Sequence, residues 1–307
     1  MLGSLPHRAL QSLAKTYGPI MPLRLGYVPT IVVSSPEAAE LFLKTHDTIF
    51  ASRPKLQVSK YLSYGARGLA FTEYGPYWRN IRKFCKMQLL SASKIESFAP
   101  MRKEEVGSLV QSLKKSAEGD EVVDLSRKVC QLIEETTCRM VFGRSNDDRF
   151  DLKALIEENM SLSGAFNLAD YVPYLGALDI QGLTRRMKKL SRALDVVLEK
   201  IIEEHEQILS GQQDRQRDFI EMLLSLINQP MNPHDEHVYL IDRTNIKAII
   251  IDMISGASGI KSKQLENLVE SIKSKLRALK KSKNKKPYMK MDKSSSVADQ
   301  PGKHRIS

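Results

Sequence analysis

Apolar residues recur at three- and four-residue spacing through most of the chain beyond residue 78. This spacing places apolar side chains on one face of an α-helix, whereas a half-buried strand would show strict alternation. Short polar breaks, or breaks that contain glycine and proline, separate the helical segments. The clearest segments are Met101–Leu113, Leu125–Phe142, Leu152–Leu162 and Gly182–Leu209. The pattern therefore requires a fold made mainly of packed amphipathic helices.

A small β hairpin is predicted near the beginning of the chain. Met21–Leu25 and Thr30–Val33 are rich in strand-forming residues, and residues 26–29 between them contain glycine and proline. A short helix over Pro6–Gly18 precedes the hairpin, and a helix with Ser35 as its N-cap follows it. The predicted fold class is thus mainly α with a small β hairpin.

Residues 241–257 predict a strongly apolar helix with Asp242 as its N-cap. Apolar side chains cover most of its circumference, which is typical of a helix in the middle of a domain. They are Ile246, Ile249, Ile250, Met253 and Ile254. Because the sequence becomes lysine-rich soon afterwards, we expect part of this apolar surface to lack cover and to favour aggregation.

Positive charge is concentrated at the end of the sequence. The formal net charge is +11, but residues 258–307 hold 14 Lys/Arg and 4 Asp/Glu, whereas residues 1–257 hold 33 and 32. The balanced body does not favour nucleic-acid binding. We expect a body over residues 1–257 and a basic tail over residues 258–307, helical at first and disordered beyond residue 280. A lysine-rich amphipathic helix in the tail could bind an anionic membrane, nucleic acid or a partner helix, but the favoured interpretation is translation of an unrelated exon or a retained intron.

The cysteines and histidines indicate no metal site. Cys85, Cys130 and Cys138 are too few and too irregularly spaced for a disulfide framework or a zinc site. All three fall in predicted helices, which favours a role as small buried apolar residues in a reducing compartment. His205 stands among three glutamates, and a solvated charged helix face is the favoured interpretation there. The sequence shows no apolar run near the roughly 20 residues of a membrane span.

The segment Tyr74–Lys83 carries the most chemical information. Residues four apart share a helical face, so Trp78 and Arg82 are expected side by side. A guanidinium can bind a carboxylate through two hydrogen bonds, and an indole N–H donates one. Taken alone, this spacing is more often a packed Trp beside a solvated Arg. The segment resembles the C-helix signature of plant cytochromes P450, in which the corresponding residues contact a haem propionate.

Weaker motifs extend this resemblance in the family's order and spacing. They are Phe50–Pro54, Ala99–Glu105, Cys138–Gly143, Asp170–Leu175, Asp218–Ile220 and Asn245–Ile249. The resemblance implies a partial cytochrome P450 fold, from helix A to the start of helix I. It also implies haem b with a Cys thiolate ligand, and insertion of one oxygen atom from O₂ into a small lipophilic plant metabolite. NADPH–cytochrome P450 reductase and the cytosolic face of the endoplasmic reticulum membrane are the implied partner and location.

The sequence departs from the family pattern after Gly256–Ala257, which match a small-residue pair of helix I. Gly259 stands where the family has an acid and Ile260 where it has Thr or Ser, and neither side chain can relay a proton. The E-x-x-R pair does not follow, and none of the three cysteines stands in the motif of the haem loop. No residue is therefore assigned as catalytic or as a metal ligand.

These departures lead to an expectation about activity. We expect an inactive fragment or an incomplete gene model that does not bind haem stably. Because the sequence shows no amino-terminal anchor before the first helix, a cytosolic or peripheral location is expected for the chain as given. The alternative is a non-catalytic helical interaction protein with a basic tail.

Overall fold

The computed structural model describes residues 5–143, 151–209, 217–233 and 235–258, and most of them are helical. The strands are β1 (Ile20–Leu25) and β2 (Val28–Val33), which pair as an antiparallel hairpin. The helices are α1 (Pro6–Tyr17), α2 (Pro36–Glu40), α3 (Asp47–Phe50), α4 (Gln57–Tyr61), α5 (Pro76–Gln88), α6 (Ala92–Ser97), α7 (Ala99–Glu118), α8 (Leu125–Phe142), α9 (Leu152–Ser163), α10 (Leu168–Tyr171), α11 (Pro173–Gly176), α12 (Leu183–Leu209), α13 (Phe219–Ser225) and α14 (Arg243–Ser258). The prediction of a mainly α fold with a small β hairpin is confirmed.

The turn of the hairpin is shorter than the sequence predicted. Leu25 pairs with Val28, so the turn contains only Gly26 and Tyr27. Gly26 has a φ of 58°, and a Cβ there would overlap the carbonyl oxygen of Tyr171. The positive φ and the close carbonyl oxygen of Tyr171 therefore both favour glycine at this position. The backbone N–H of Tyr27 donates to the same oxygen at 2.9 Å, which holds the hairpin against α10.

Two helix starts predicted from the sequence are confirmed by their caps. The Ser35 hydroxyl accepts a hydrogen bond from the N–H of Ala38 at 3.2 Å, before α2. The Asp242 carboxylate accepts one from the N–H of Asn245 at 2.8 Å, before α14. Each bond satisfies an N–H group that has no partner within its own helix.

The helices α12 and α14 form the centre of the hydrophobic core. Helix α12 buries a stripe along its length, and α8, α9 and α13 pack against α14. On α14, Ile246, Ile249 and Ile250 are at most 1% exposed. The expectation that this apolar surface lacks cover is therefore wrong. Elements earlier in the chain already surround most of the helix.

Ion pairs join the polar edges of the two central helices. Lys247 on α14 lies 2.6 Å from a carboxylate oxygen of Asp195 and 2.5 Å from one of Glu199. The guanidinium of Arg243 lies 2.6 Å from Glu199 and 2.7 Å from Glu206. Lys247 is only 8% exposed, so its charge depends on these carboxylates for compensation.

His205 on α12 is buried, and the prediction of a solvated histidine is wrong. It is 2% exposed and packs against the end of α8 and the start of α13. Its Nδ1 lies 2.6 Å from the carbonyl oxygen of Ile201, and its Nε2 lies 3.2 Å from the carbonyl oxygen of Phe142 and 3.2 Å from the Asp218 carboxylate. Because both nitrogens face acceptors, the doubly protonated ring satisfies this site best.

The pKa of His205 reflects two opposing effects. Burial alone would lower it, but the hydrogen bond and the charge of Asp218, together with the two carbonyl oxygens, raise it above the ordinary 6.5. The ion pair therefore stabilises the fold fully below pH 6.5, and this contribution is lost as the pH rises through the raised pKa of the folded state.

We expect Asp218→Asn to lower the free energy of unfolding by about 3 kcal/mol in mildly acidic solution, because the buried imidazolium loses its counter-charge while the N-cap is kept. Urea denaturation over a pH series measures the effect. Asp124→Asn, at the exposed cap of α8, is the matched control and should leave the pH dependence unchanged. Equal pH dependence in Asp218→Asn and the parent protein would contradict the assignment.

Candidate haem-propionate site

Helix α5 carries the two residues for which the sequence predicted a cofactor contact. It begins at Pro76, whose fixed φ suits the first helical position, and it buries Ile81 and Phe84 in the core. Trp78 is half-buried and Arg82 is exposed at the margin of this face. The guanidinium carbon of Arg82 lies 5.0 Å from the centre of the Trp78 ring, a cation–π contact. The two side chains therefore share one helix face, as their spacing predicted.

The indole N–H of Trp78 has a hydrogen-bond partner, whereas the guanidinium of Arg82 has no carboxylate partner among the described residues. The indole N–H of Trp78 donates to the carbonyl oxygen of Leu69 at 3.2 Å. Since an indole has one N–H, this bond uses its only donor. Within the part of the chain that the structure describes, no carboxylate lies at ion-pair distance from Arg82. The pair thus presents an exposed guanidinium whose charge has no counter-ion among those residues.

Residues 66–72, here called the strap, run between α5 and α14 without regular secondary structure. The side-chain amide of Asn245 donates to the carbonyl oxygen of Arg67 at 3.1 Å and to the hydroxyl of Tyr77 at 2.6 Å. That hydroxyl donates to the same carbonyl at 2.9 Å. The side chain of Arg67 pairs with Asp242 at the start of α14. Both helices therefore hold the first residues of the strap.

Asp252 on α14 holds the middle of the strap. Its carboxylate accepts the backbone N–H of Leu69 at 2.5 Å and that of Ala70 at 3.2 Å. Gly68 lies so close that a Cβ added there would overlap the carboxylate. Burial raises the pKa of Asp252 to about 6, against the opposing effect of the two backbone N–H bonds.

The three cysteines are free thiols without a disulfide partner. Cys85 is 1% exposed, which confirms its predicted role as a buried apolar residue. Burial raises the pKa of Cys85 to about 12 and that of Cys138 to about 11, so both stay protonated at neutral pH. A metal-ligating cysteine has to be a thiolate. These two environments disfavour the chemistry of an iron ligand.

The end of α14 bears on the predicted departure from the family pattern. Gly256 and Ala257 lie in its last turn. Gly259, Ile260 and the basic tail beyond residue 258 lie outside the described residues, so the predicted boundary between body and tail stays a prediction.

Neither a membrane-spanning helix nor a metal-binding cluster occurs in the part of the chain that the structure describes. Every helix there is too short or too polar to cross a bilayer. That part of the chain also holds no group of three or more His, Cys, Asp or Glu side chains arranged to bind a metal ion.

Sequence reasoning identified Trp78 and Arg82 but missed the residues that fix their surroundings. Asp252 is the single acid in α14, and Asn245 is its single amide side chain. These isolated polar residues in an apolar helix were the available signal. Their partners are mainly backbone groups of the strap, and no spacing of side chains reveals such partners.

Comparison with known proteins gives a consistent family match. A family model described as Cytochrome P450 matches residues 2–266. Cytochrome P450 CYP736A12 of Panax ginseng is 56% identical over 280 residues, which cover 91% of this chain and 56% of that protein. Flavonoid 3'-monooxygenase of Arabidopsis thaliana is 36% identical over 263 residues, which cover 84% of this chain and 50% of that protein. The chain thus spans about half the length of the curated relatives it matches.

Solved structures agree at the level of the fold. A zebrafish cytochrome P450 structure with abiraterone superposes with a TM-score of 0.60 at 21% identity, and the match covers 82% of this chain and 54% of the zebrafish chain. A zebrafish cytochrome P450 structure with progesterone gives a TM-score of 0.59 at 22% identity. At this identity the likeness concerns the fold alone.

Proposed function

Because this chain belongs to the cytochrome P450 family, we propose that its described residues form the propionate-binding side of a haem-thiolate monooxygenase. The observation that carries the proposal is the exposed Arg82 guanidinium, stacked on Trp78 and without a carboxylate partner in the described ranges. A haem propionate is itself a carboxylate. It would give this guanidinium a planar partner for two charge-assisted hydrogen bonds.

Trp78 and Arg82 act together in this proposal. The Trp78 ring restricts the guanidinium through the cation–π contact, so less side-chain freedom is lost when Arg82 binds an anion. The bond from the indole N–H to Leu69 in turn fixes the ring. Arg82 would neutralise a propionate, and Trp78 would form the surface beside it. Haem, when bound, supplies the activation of O₂ that inserts one oxygen atom into a substrate.

Family membership also supports proposals about the substrate, the electron donor and the location of the whole protein. We propose a small lipophilic substrate, electrons from NADPH–cytochrome P450 reductase and a location at the endoplasmic reticulum membrane. The name of the Arabidopsis relative indicates a flavonoid as the substrate of that protein. This name supports an aromatic plant metabolite as the substrate class to test first.

We further propose that none of the cysteines in this chain ligates haem iron. All three lie within helices, and burial keeps Cys85 and Cys138 protonated. Activity would then require a thiolate from residues that this sequence does not contain. The 307-residue chain would not act as a monooxygenase by itself.

The purified 307-residue chain, mixed with haem, reduced and exposed to CO, is expected to lack the absorbance band characteristic of thiolate ligation, because all three cysteines lie within helices and burial keeps Cys85 and Cys138 protonated. Triple replacement of the cysteines by serine is the control and should leave the spectrum unchanged. A thiolate band that disappears in one cysteine variant would contradict the proposal and identify the ligand.

The role of Arg82 is tested in a chimera in which this chain replaces the matching segment of the ginseng relative. Arg82→Ala should weaken haem binding by about 1.5 to 3 kcal/mol, roughly 10- to 150-fold, because a charge-assisted bidentate contact is lost. Arg82→Lys should recover part of the loss, since an ammonium lacks the planar fork. Haem titration gives the affinities.

Arg79→Ala is the matched control for this experiment. Arg79 is exposed on the same helix and lies over the ring of Tyr74 at 5.9 Å, one turn before Arg82. Its replacement should leave haem affinity within a factor of about two, as is usual for a substitution at an exposed position. Equal affinities in Arg82→Ala, Arg79→Ala and the parent chimera would remove the proposed propionate contact.

A further inference from the structure

The peptide groups at Leu69 join α14 to α5. The backbone N–H of Leu69 donates to Asp252 on α14, at 2.5 Å. The carbonyl oxygen of Leu69 accepts the indole N–H of Trp78 on α5, at 3.2 Å. A displacement of this residue in either direction would therefore stretch one of the two bonds. The position of Leu69 against α14 sets where the acceptor for Trp78 lies.

The strap has little freedom to move independently of Asp252. The close approach of Gly68 leaves no room between the backbone and the carboxylate, and Ala70 supplies a second N–H to the same oxygen. Thr72 is only 6% exposed, and its hydroxyl donates to the carbonyl oxygen of Ala66 at 2.7 Å. The strap is thus closed on itself and fixed at its middle by one side chain.

We propose that Asp252 is a positioning residue for the Trp78–Arg82 pair. Through the peptide groups of Leu69, its carboxylate sets the orientation of the indole ring, and the ring sets the position of the Arg82 guanidinium. Helix α14 therefore controls the cation that faces the propionate. The effect on haem rests on the proposed function, whereas the link from Asp252 to Trp78 belongs to the chain alone.

The charged and titratable surroundings of Asp252 make the link sensitive to pH. From α5, Cys85 faces Asp252, and burial raises the pKa of that thiol to about 12, so it does not titrate near neutrality. From the strap, Asp252 meets backbone N–H groups of Leu69 and Ala70. Protonation of Asp252, whose pKa is raised to about 6, would remove the charge that strengthens these two bonds.

Trp78 is the only tryptophan in the sequence, so its fluorescence reports on this link without labelling. In the 307-residue chain, Asp252→Ala should shift the emission maximum to longer wavelength and raise the acrylamide quenching constant about two-fold, since the indole loses its fixed acceptor. Asp252→Asn should give an intermediate shift, because an amide oxygen still accepts but carries no charge.

Asp170→Asn is the matched control. Its carboxylate is also partly buried and also accepts a backbone N–H from a preceding segment, that of Gln57 at 2.7 Å, but it makes no hydrogen bond with the strap. This variant should leave the fluorescence of Trp78 unchanged. A shift as large as that of Asp252→Asn would show that any loss of a partly buried carboxylate perturbs the indole, and would overturn the proposal.

A variant that keeps Asp252 provides a second test in case Asp252→Ala does not fold. Gly68→Ala forces the strap and the carboxylate apart and should reproduce the shift. Gly107→Ala, on α7 with open space around its Cα, is its control.

In the parent protein the emission should also change with a midpoint near pH 6, and this transition should be absent in Asp252→Asn. Unchanged emission in Gly68→Ala and no transition in the parent would overturn the proposal.

These fluorescence measurements need no haem, so they separate the two proposals. If Trp78 responds to Asp252 while Arg82→Ala leaves haem affinity unchanged in the chimera, the proposed function fails and the link stands. If Arg82→Ala weakens haem binding while the fluorescence ignores Asp252 and Gly68, the link fails and the propionate contact stands.

Discussion

A backbone segment without regular secondary structure lies against the most apolar helix of the chain, and its polar groups need partners there. Buried N–H and C=O groups without hydrogen bonds cost free energy, and a helix such as α14 offers few side chains that can satisfy them. Asn245 and Asp252 are the two that do so for the strap. The position of the strap, and through it the indole of Trp78, depends on these two residues.

This constraint explains why an otherwise apolar helix carries an acid. Among the isoleucines of α14, a carboxylate would be costly unless its oxygens accepted hydrogen bonds. The backbone N–H groups of Leu69 and Ala70 supply them. The same logic applies to His205, which is tolerated in the core because Asp218 and two carbonyl oxygens surround it. A partly buried carboxylate in one place and a buried histidine in the other thus join a connecting segment to a central helix.

The sequence allowed the helical fold, the hairpin and the shared face of Trp78 and Arg82 to be predicted, because each depends on local spacing or on cap and turn residues. It did not allow the burial of His205 to be predicted. Three neighbouring glutamates suggested a solvated face, whereas the decisive partner, Asp218, comes from the start of another helix. The cover of α14 was likewise underestimated, because α8, α9 and α13 reach it from distant parts of the chain. Non-local packing decided each of these cases.

In the proposed site Arg82 faces a haem propionate from a position set by Trp78 and the strap. A crystal structure of the haem-bound chimera tests it most directly. We expect a guanidinium nitrogen of Arg82 within about 3 Å of a propionate oxygen, with the Trp78 ring still stacked on the guanidinium. A structure in which both propionates bind other side chains and Arg82 extends into solvent would contradict it.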